Sequence, residues 1–147
     1  MDLVLWRHAD AEDGHPDAAR ALTSLGREQA EKMGDWLAQR LPRKALVLVS
    51  PAVRAQQTAE FLGREFQTEP RVGVKASAKD ILEAARWDDG SGTVLVVGHQ
   101  PTLGEVAAEI LAGEAEEGWA VEKAASWWFT RGHHGTKLRA VLPPDLA

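Results

Sequence analysis

Two arginines and two histidines lie at or just after the ends of apolar runs in this chain. Such runs are typical of buried strands, where charged side chains are unusual unless they have a function. Arg7 and His8 end the first run, Ser50 ends the second with Arg54 one helical turn later, and His99 ends a later one. Arginine binds oxyanions through several N–H donors, and histidine can act as a nucleophile or as an acid and base. Together these residues predict a site for a doubly charged tetrahedral oxyanion, for which phosphate is the obvious candidate.

Each of these residues has an ordinary explanation when taken alone. An Arg-His pair is common, an isolated histidine such as His99 is more often structural, and Arg54 alone reads as a solvated helix residue. Their joint placement at three strand ends is what favours a functional site. The remaining histidines, His15 and the pair His133-His134, are interpreted as solvent-exposed, and no spacing suggests a metal site.

The elements that position these residues alternate between strand and helix. The predicted strands are Leu3–Arg7, Leu46–Val49, a weaker Arg71–Lys75, and Thr93–Val97. The predicted helices run from the cap Thr23 to about Leu41, from Ser50 as N-cap and Pro51 as first residue, over Ala78–Trp87, and from Pro101 to near Gly113. His15–Ala21 is predicted as a loop, and Ala124–Thr130 and Lys137–Leu142 as a hairpin.

Repeated strand–helix units predict an α/β fold with a mainly parallel sheet and helices on both faces, which the closing hairpin makes mixed. Ligands of such sheets bind at the carboxyl ends of the strands. If the first, second and fourth strands are parallel neighbours, the arginines and histidines share one edge.

Composition limits the possible partners and compartments. At 147 residues the chain is expected to be one domain, residues 1–147, and its net charge of −5 without a basic stripe disfavours nucleic acid. Its apolar runs are too short to span a bilayer, and no signal peptide is recognised. The absence of cysteine fits a reducing compartment. We expect a cytoplasmic protein.

Five motifs, in order and over nearly the whole chain, resemble the histidine phosphatase superfamily, and most of all its small SixA-type phosphohistidine phosphatases. They are Arg7-His8-Ala9, Arg20–Gly26, Ser50–Thr58, Gly98–Pro101 and Leu142–Leu146. The resemblance implies the phosphoglycerate mutase-like fold, a three-layer α/β/α sandwich around a six-stranded mixed sheet. It implies no metal or organic cofactor.

The resemblance also implies residue roles. His8 would be the nucleophile that is transiently phosphorylated, and Arg7, Arg54 and His99 would hold the phosphoryl oxygens. Arg20 would be an additional phosphate or substrate contact.

One expected group is absent. Many members of the family place a carboxylic general acid after the third strand, where this chain has Ser77. Asp80 and Asp10 are the remaining candidates, and Asp80 fits the first turn of a helix equally well. A site without a strong acid suits phosphohistidine, because an imidazole leaves more readily than an alkoxide.

Three functions stay open on the sequence alone. The favoured one is removal of phosphate from phosphohistidine on a protein. The short loops after the first three strands would leave the cleft open to a side chain of another protein. The alternatives are a phosphomonoesterase on a small phosphorylated metabolite and a non-catalytic phosphate-binding module. A mutase is disfavoured by the short chain. A monomer is expected, because the cleft needs no second subunit.

Overall fold

The computed structural model describes residues 1–114 and 118–147. In chain order the elements are β1 (Asp2–Arg7), α1 (Ser24–Arg40), β2 (Leu46–Val49), α2 (Val53–Glu60), β3 (Gln67–Thr68), α3 (Ala78–Ala85), β4 (Thr93–Gly98), α4 (Thr102–Ala112), β5 (Ser126–Gly132) and β6 (Gly135–Leu142). Short 3-10 turns lie at Asp17–Ala19, Pro70–Val72 and Pro144–Leu146. Within the described ranges, no helix is both long and apolar enough to cross a bilayer.

The strands form one mixed sheet in the order β3-β2-β4-β1-β5-β6. β1, β2, β3 and β4 run parallel to one another, whereas β5 is antiparallel to both of its neighbours, β1 and β6. The predicted mixed α/β sheet is therefore confirmed. The two central strands are β4 and β1.

Alternate side chains of the strands pack into two apolar clusters, one on each face of the sheet. Leu3 and Leu5 of β1 pack with α3 and α4, whereas Val4 and Trp6 pack with α1 and α2. The adjacent Trp127 and Trp128 divide between the two clusters, because neighbouring side chains of a strand point to opposite faces of the sheet. The result is the expected helix–sheet–helix sandwich.

Local capping explains where α1, the longest helix, begins. Thr23 is the predicted N-cap of α1, and its hydroxyl oxygen accepts the backbone N–H of Gly26 at 2.9 Å. Gly26 must lack a side chain, because a Cβ there would clash with the backbone carbonyl oxygen of Asp10. The start of α1 thus holds the segment that follows His8.

The predicted strand Arg71–Lys75 is wrong. The third strand is the two-residue Gln67–Thr68, and the segment after it forms a 3-10 turn. The Glu69 carboxylate accepts the N–H of Arg71 at 2.9 Å and caps this turn, and Pro70 is in its first position. Only Val72 is buried within the turn. The apolar residues that suggested a strand therefore reflect one core contact and not the alternation of buried and exposed side chains.

Several predicted boundaries are also wrong by two residues, including the end of α3 at Ala85 and the start of β6 at Gly135. The helix expected from Pro51 begins at Val53, with Ala52 as N-cap, because the Ser50 side chain serves a different contact described below. The hairpin strand expected from Ala124 begins at Ser126, since Ala124 has a φ of 60° and Ala125 donates its N–H to Glu122 in a turn. The loop expected at His15–Ala21 contains the short 3-10 turn.

Candidate active site

Three neighbouring parallel strands bring the predicted site residues to one sheet edge. Arg7 lies opposite Gly98 in the register of β1 and β4, and the His8 N–H donates to the Gly98 carbonyl at 3.0 Å. The Ser50 N–H donates to the Val97 carbonyl at 3.1 Å. The side chains that follow β1, β2 and β4 are therefore adjacent, and the ring centroids of His8 and His99 are 5.2 Å apart.

His8 presents an unprotonated nitrogen to the site. Its Nδ1 lies 2.8 Å from the Ala9 carbonyl oxygen, which can only accept, so Nδ1 carries the ring proton. Its Nε2 accepts a hydrogen bond from the Arg54 Nε at 3.4 Å. Burial, helped by the nearby cations Arg54, Arg7 and Arg20 and opposed by the Ala9 hydrogen bond, lowers the pKa of His8 to about 4. At neutral pH, Nε2 is therefore available as a nucleophile.

Arg54 is held in place by the loop after β1. Its guanidinium is almost fully buried and donates to the Asp17 carbonyl at 2.9 Å and to the Asp17 carboxylate at 3.2 Å. Together with the Nε contact to His8, these bonds fix the plane of the guanidinium. The N–H donors that have no partner in the described part of the chain can bind phosphoryl oxygens.

Arg7 and His99 supply two further unused nitrogens. Arg7 is anchored by one N–H that donates to the Val121 carbonyl at 2.9 Å. Its Nε and the Nδ1 of His99 are buried and have no hydrogen-bond partner among the described residues. Burial lowers the pKa of both side chains, that of His99 to about 3. Buried polar atoms are nearly always paired, so these two await a ligand.

Arg20 is connected to the same cluster through Asp17. Its Nε donates to the Asp17 carboxylate at 3.0 Å and another N–H donates to the Glu12 carbonyl at 3.1 Å. Asp17 thus bridges Arg20 and Arg54, and its hydrogen bond from Arg20 is the main reason that its pKa is lowered. The sequence interpretation missed Asp17, because a carboxylate in a polar loop carries no local signal.

The two candidate acids are engaged elsewhere. The Asp80 carboxylate accepts the Ser77 N–H at 3.0 Å and the Ser77 hydroxyl caps Asp80 in return, which closes a capping box at the start of α3. The Asp10 carboxylate accepts from Thr23 and from Lys123, both at 2.7 Å. These bonds lower the pKa of both carboxyls, so each is ionised at neutral pH and has no proton to donate.

Within the described ranges, no three histidine and acidic side chains form a group that could hold a metal ion. His133 and His134 form the turn between β5 and β6. The donors that face His8 are instead cationic and neutral nitrogens, which suit an anion.

A neutral imidazole nitrogen near two arginines at the carboxyl ends of parallel strands is an arrangement suited to phosphoryl transfer. Residues 3–73 match the family model of the histidine phosphatase superfamily, branch 1. The chain is 35% identical over 127 residues to the phosphohistidine phosphatase SixA homolog of Haemophilus influenzae, covering 75% of this chain and 77% of that protein. It is 30% identical to the phosphohistidine phosphatase SixA of Escherichia coli, covering 99% and 96%.

A solved structure gives the same result. The protein histidine phosphatase SixA complexed with tungstate superposes with a TM-score of 0.83 at 27% identity, over 99% of this chain and 98% of that one. The chain belongs to the histidine phosphatase superfamily and is a phosphatase.

Proposed function

We propose that this phosphatase removes phosphate from phosphohistidine on a protein, with His8 as nucleophile. The observation that carries the proposal is the state of the two candidate acids: Asp10 and Asp80 are held as carboxylates by their hydrogen bonds. An alkoxide leaving group requires a proton donor, whereas an imidazole leaves as a neutral molecule. The names of the two similar proteins from Haemophilus influenzae and Escherichia coli agree with this substrate class.

The proposed reaction has two steps. His8 Nε2 attacks phosphorus and forms a new P–N bond, while the P–N bond of the substrate breaks and its electron pair stays on the substrate imidazole, which departs as a neutral molecule because its other ring nitrogen carries a proton. Water then attacks phosphorus, the bond between phosphorus and Nε2 breaks, both water protons stay with the released inorganic phosphate, and His8 is restored as the neutral Nδ1–H imidazole. Arg7, Arg54 and His99 bind the equatorial oxygens throughout, where charge must be compensated. Arg20 is separated from Arg54 by Asp17 and would bind the substrate or hold Asp17 in position.

The cleft in this proposal is served by one chain. All the named side chains belong to one chain and lie around the carboxyl ends of one sheet, so we propose a single domain, residues 1–147, that acts as a monomer. No cofactor is required, because the nucleophile and the anion-binding groups are side chains. A phosphorylated protein is the proposed partner, and light scattering at assay concentration tests the monomer.

The test compares leaving groups. Initial rates are measured on a phosphohistidine-bearing phosphotransfer protein, an aryl phosphate and a series of alkyl phosphates. We expect high kcat/KM for phosphohistidine, a lower value for the aryl ester and near-background values for alkyl esters. Asp80→Asn and Asp10→Asn should preserve this order. A preference for alkyl esters that Asp80→Asn abolishes would establish a phosphomonoesterase with Asp80 as acid.

Two further variants test the nucleophile. His8→Asn should abolish turnover and the acid-labile phosphoryl label, whereas the matched replacement of an exposed turn histidine, His134→Asn, should leave both unchanged. Wild-type protein that binds phosphate but turns over none of these substrates would instead support the binding-module alternative.

A further inference from the structure

Ser50 is fully buried beside His99, and each of its polar atoms has a hydrogen-bond partner. Its N–H donates to Val97 at 3.1 Å, its carbonyl accepts from the Gln56 side chain at 2.8 Å, and its Oγ accepts the Ala52 N–H at 3.2 Å. The Oγ also lies 2.7 Å from the His99 Nε2. These contacts fix the position of the hydroxyl oxygen relative to the sheet.

The hydroxyl proton of Ser50 has one acceptor within reach. The side chain is fully buried, and the described residues offer its O–H no acceptor other than His99 Nε2. A buried hydroxyl that does not donate costs about 1–3 kcal/mol. The proton is therefore directed to Nε2, which must accept it as an unprotonated nitrogen.

The tautomer of His99 follows from this contact. His99 is neutral at physiological pH, because burial lowers its pKa to about 3, and so it carries one ring proton. With Nε2 occupied as an acceptor, that proton lies on Nδ1. Nδ1 is the buried ring atom that has no partner among the described residues.

From this geometry we propose that Ser50 is a positioning residue that holds His99 in the Nδ1–H tautomer, so that a neutral histidine donates a hydrogen bond to a phosphoryl oxygen. The opposite tautomer would place a lone pair of Nδ1 against the anion and repel it. This inference rests on the phosphoryl site of the proposed function, but it does not depend on which phosphorylated molecule is the substrate.

The proposal explains why the motif starts with a serine that does not cap its helix. Sequence reasoning gave Ser50 the N-cap of the helix that carries Arg54, yet the N-cap is Ala52. The Ser50 hydroxyl bonds to His99 and to the Ala52 N–H instead. One side chain thereby joins the end of β2 to the residue that follows β4.

The first measurement is made on the wild-type protein without substrate. Nitrogen-15 NMR of imidazole-labelled protein at pH 7 distinguishes protonated from unprotonated ring nitrogens, and the His99→Gln variant identifies the His99 signals. We expect a protonated Nδ1 and an unprotonated Nε2. A protonated Nε2 in the wild type overturns the proposal, whatever the variants do.

The second measurement is the binding of inorganic phosphate. Ser50→Ala should shift His99 toward the Nε2–H tautomer and raise the Kd by about 10- to 100-fold, the loss expected for one hydrogen bond to a charged group. Ser50→Thr keeps the hydroxyl and should restore both the tautomer and the affinity. The matched control is Ser126→Ala, which removes another buried serine hydroxyl on β5, away from His99, and should change neither.

A double-mutant cycle separates positioning from general damage to the fold. If Ser50 acts through His99, Ser50→Ala should have little effect on phosphate affinity in a His99→Ala background. Equal losses in both backgrounds, or a Ser50→Ala variant with unchanged tautomer and affinity, overturn the proposal. Neither outcome bears on whether phosphohistidine is the substrate, which the leaving-group comparison decides.

Discussion

Acidification from pH 7 to pH 5 should destabilise this protein through its two buried site histidines. Burial lowers the pKa of His8 to about 4 and that of His99 to about 3. In the unfolded chain both groups titrate near pKa 6.5, so at pH 5 the unfolded state binds about two more protons than the folded state. Stability is therefore unaffected above pH 6.5 and falls as the pH decreases below it.

The size of the effect follows from the two pKa differences. Between pH 7 and pH 5 each histidine costs about 2 kcal/mol of unfolding free energy, or about 4 kcal/mol for the pair. This is a large share of the stability of a domain of this size. The loss should continue below pH 5 until each folded-state pKa is reached.

Urea unfolding followed by tryptophan fluorescence measures this directly, since the chain has six tryptophans. The double variant His8→Asn/His99→Asn should lose most of the pH dependence, and the exposed-turn control His134→Asn should keep it. The m-value must stay constant for the comparison to hold. Parallel pH curves for wild type and double variant would refute the reasoning, because they would show that neither imidazole is held neutral by burial.

Three substitutions test the scaffold around the site. Gly26→Ala places a methyl group against the Asp10 carbonyl, and we expect a loss of about 3 kcal/mol in urea unfolding together with reduced turnover, because the segment after His8 must move. Ser77→Ala removes one half of the capping box of α3 and should lower the unfolding free energy by about 1 kcal/mol in the same assay. The kcat/KM of this variant should stay close to that of the wild type. A clear loss of turnover would instead indicate that Asp80 acts as the acid. Trp6→Phe leaves the Ala124 carbonyl without its 3.0 Å donor and should lower the unfolding free energy by about 1–3 kcal/mol, and an unchanged value would show that the indole N–H contributes nothing there.

The sheet was predictable because its central strands are apolar, short and followed by polar residues. The strand Leu46–Val49 has the same bounds in the sequence interpretation and in the structure. β1 and β4 are each one residue longer in the structure than predicted. The convergence of Arg7, His8, Arg54 and His99 followed from the parallel order of three strands. Edge strand β3 was not predictable, since its two residues are exposed and carry no apolar pattern.

The contacts among the site residues were beyond sequence reasoning. Asp17 bridges Arg54 and Arg20 from a loop whose path depends on the packing of the whole edge. Ser50 reads as a helix cap by every local rule, because proline follows it. The hydroxyl is instead hydrogen-bonded to His99, which directly follows β4, a strand that is remote in sequence.

The position of β1 in the middle of the sheet governs when the protein becomes active during synthesis. β1 leaves the ribosome before the other strands, but its hydrogen-bonding partners are β4 and β5, so that Asp2 pairs with Thr93 on one side and with Thr130 on the other. Until those strands emerge, β1 has two open edges, and such long-range pairing forms slowly. A nascent chain therefore holds His8 without a site around it until then, and phosphatase activity should appear only after β4 and β5 have emerged.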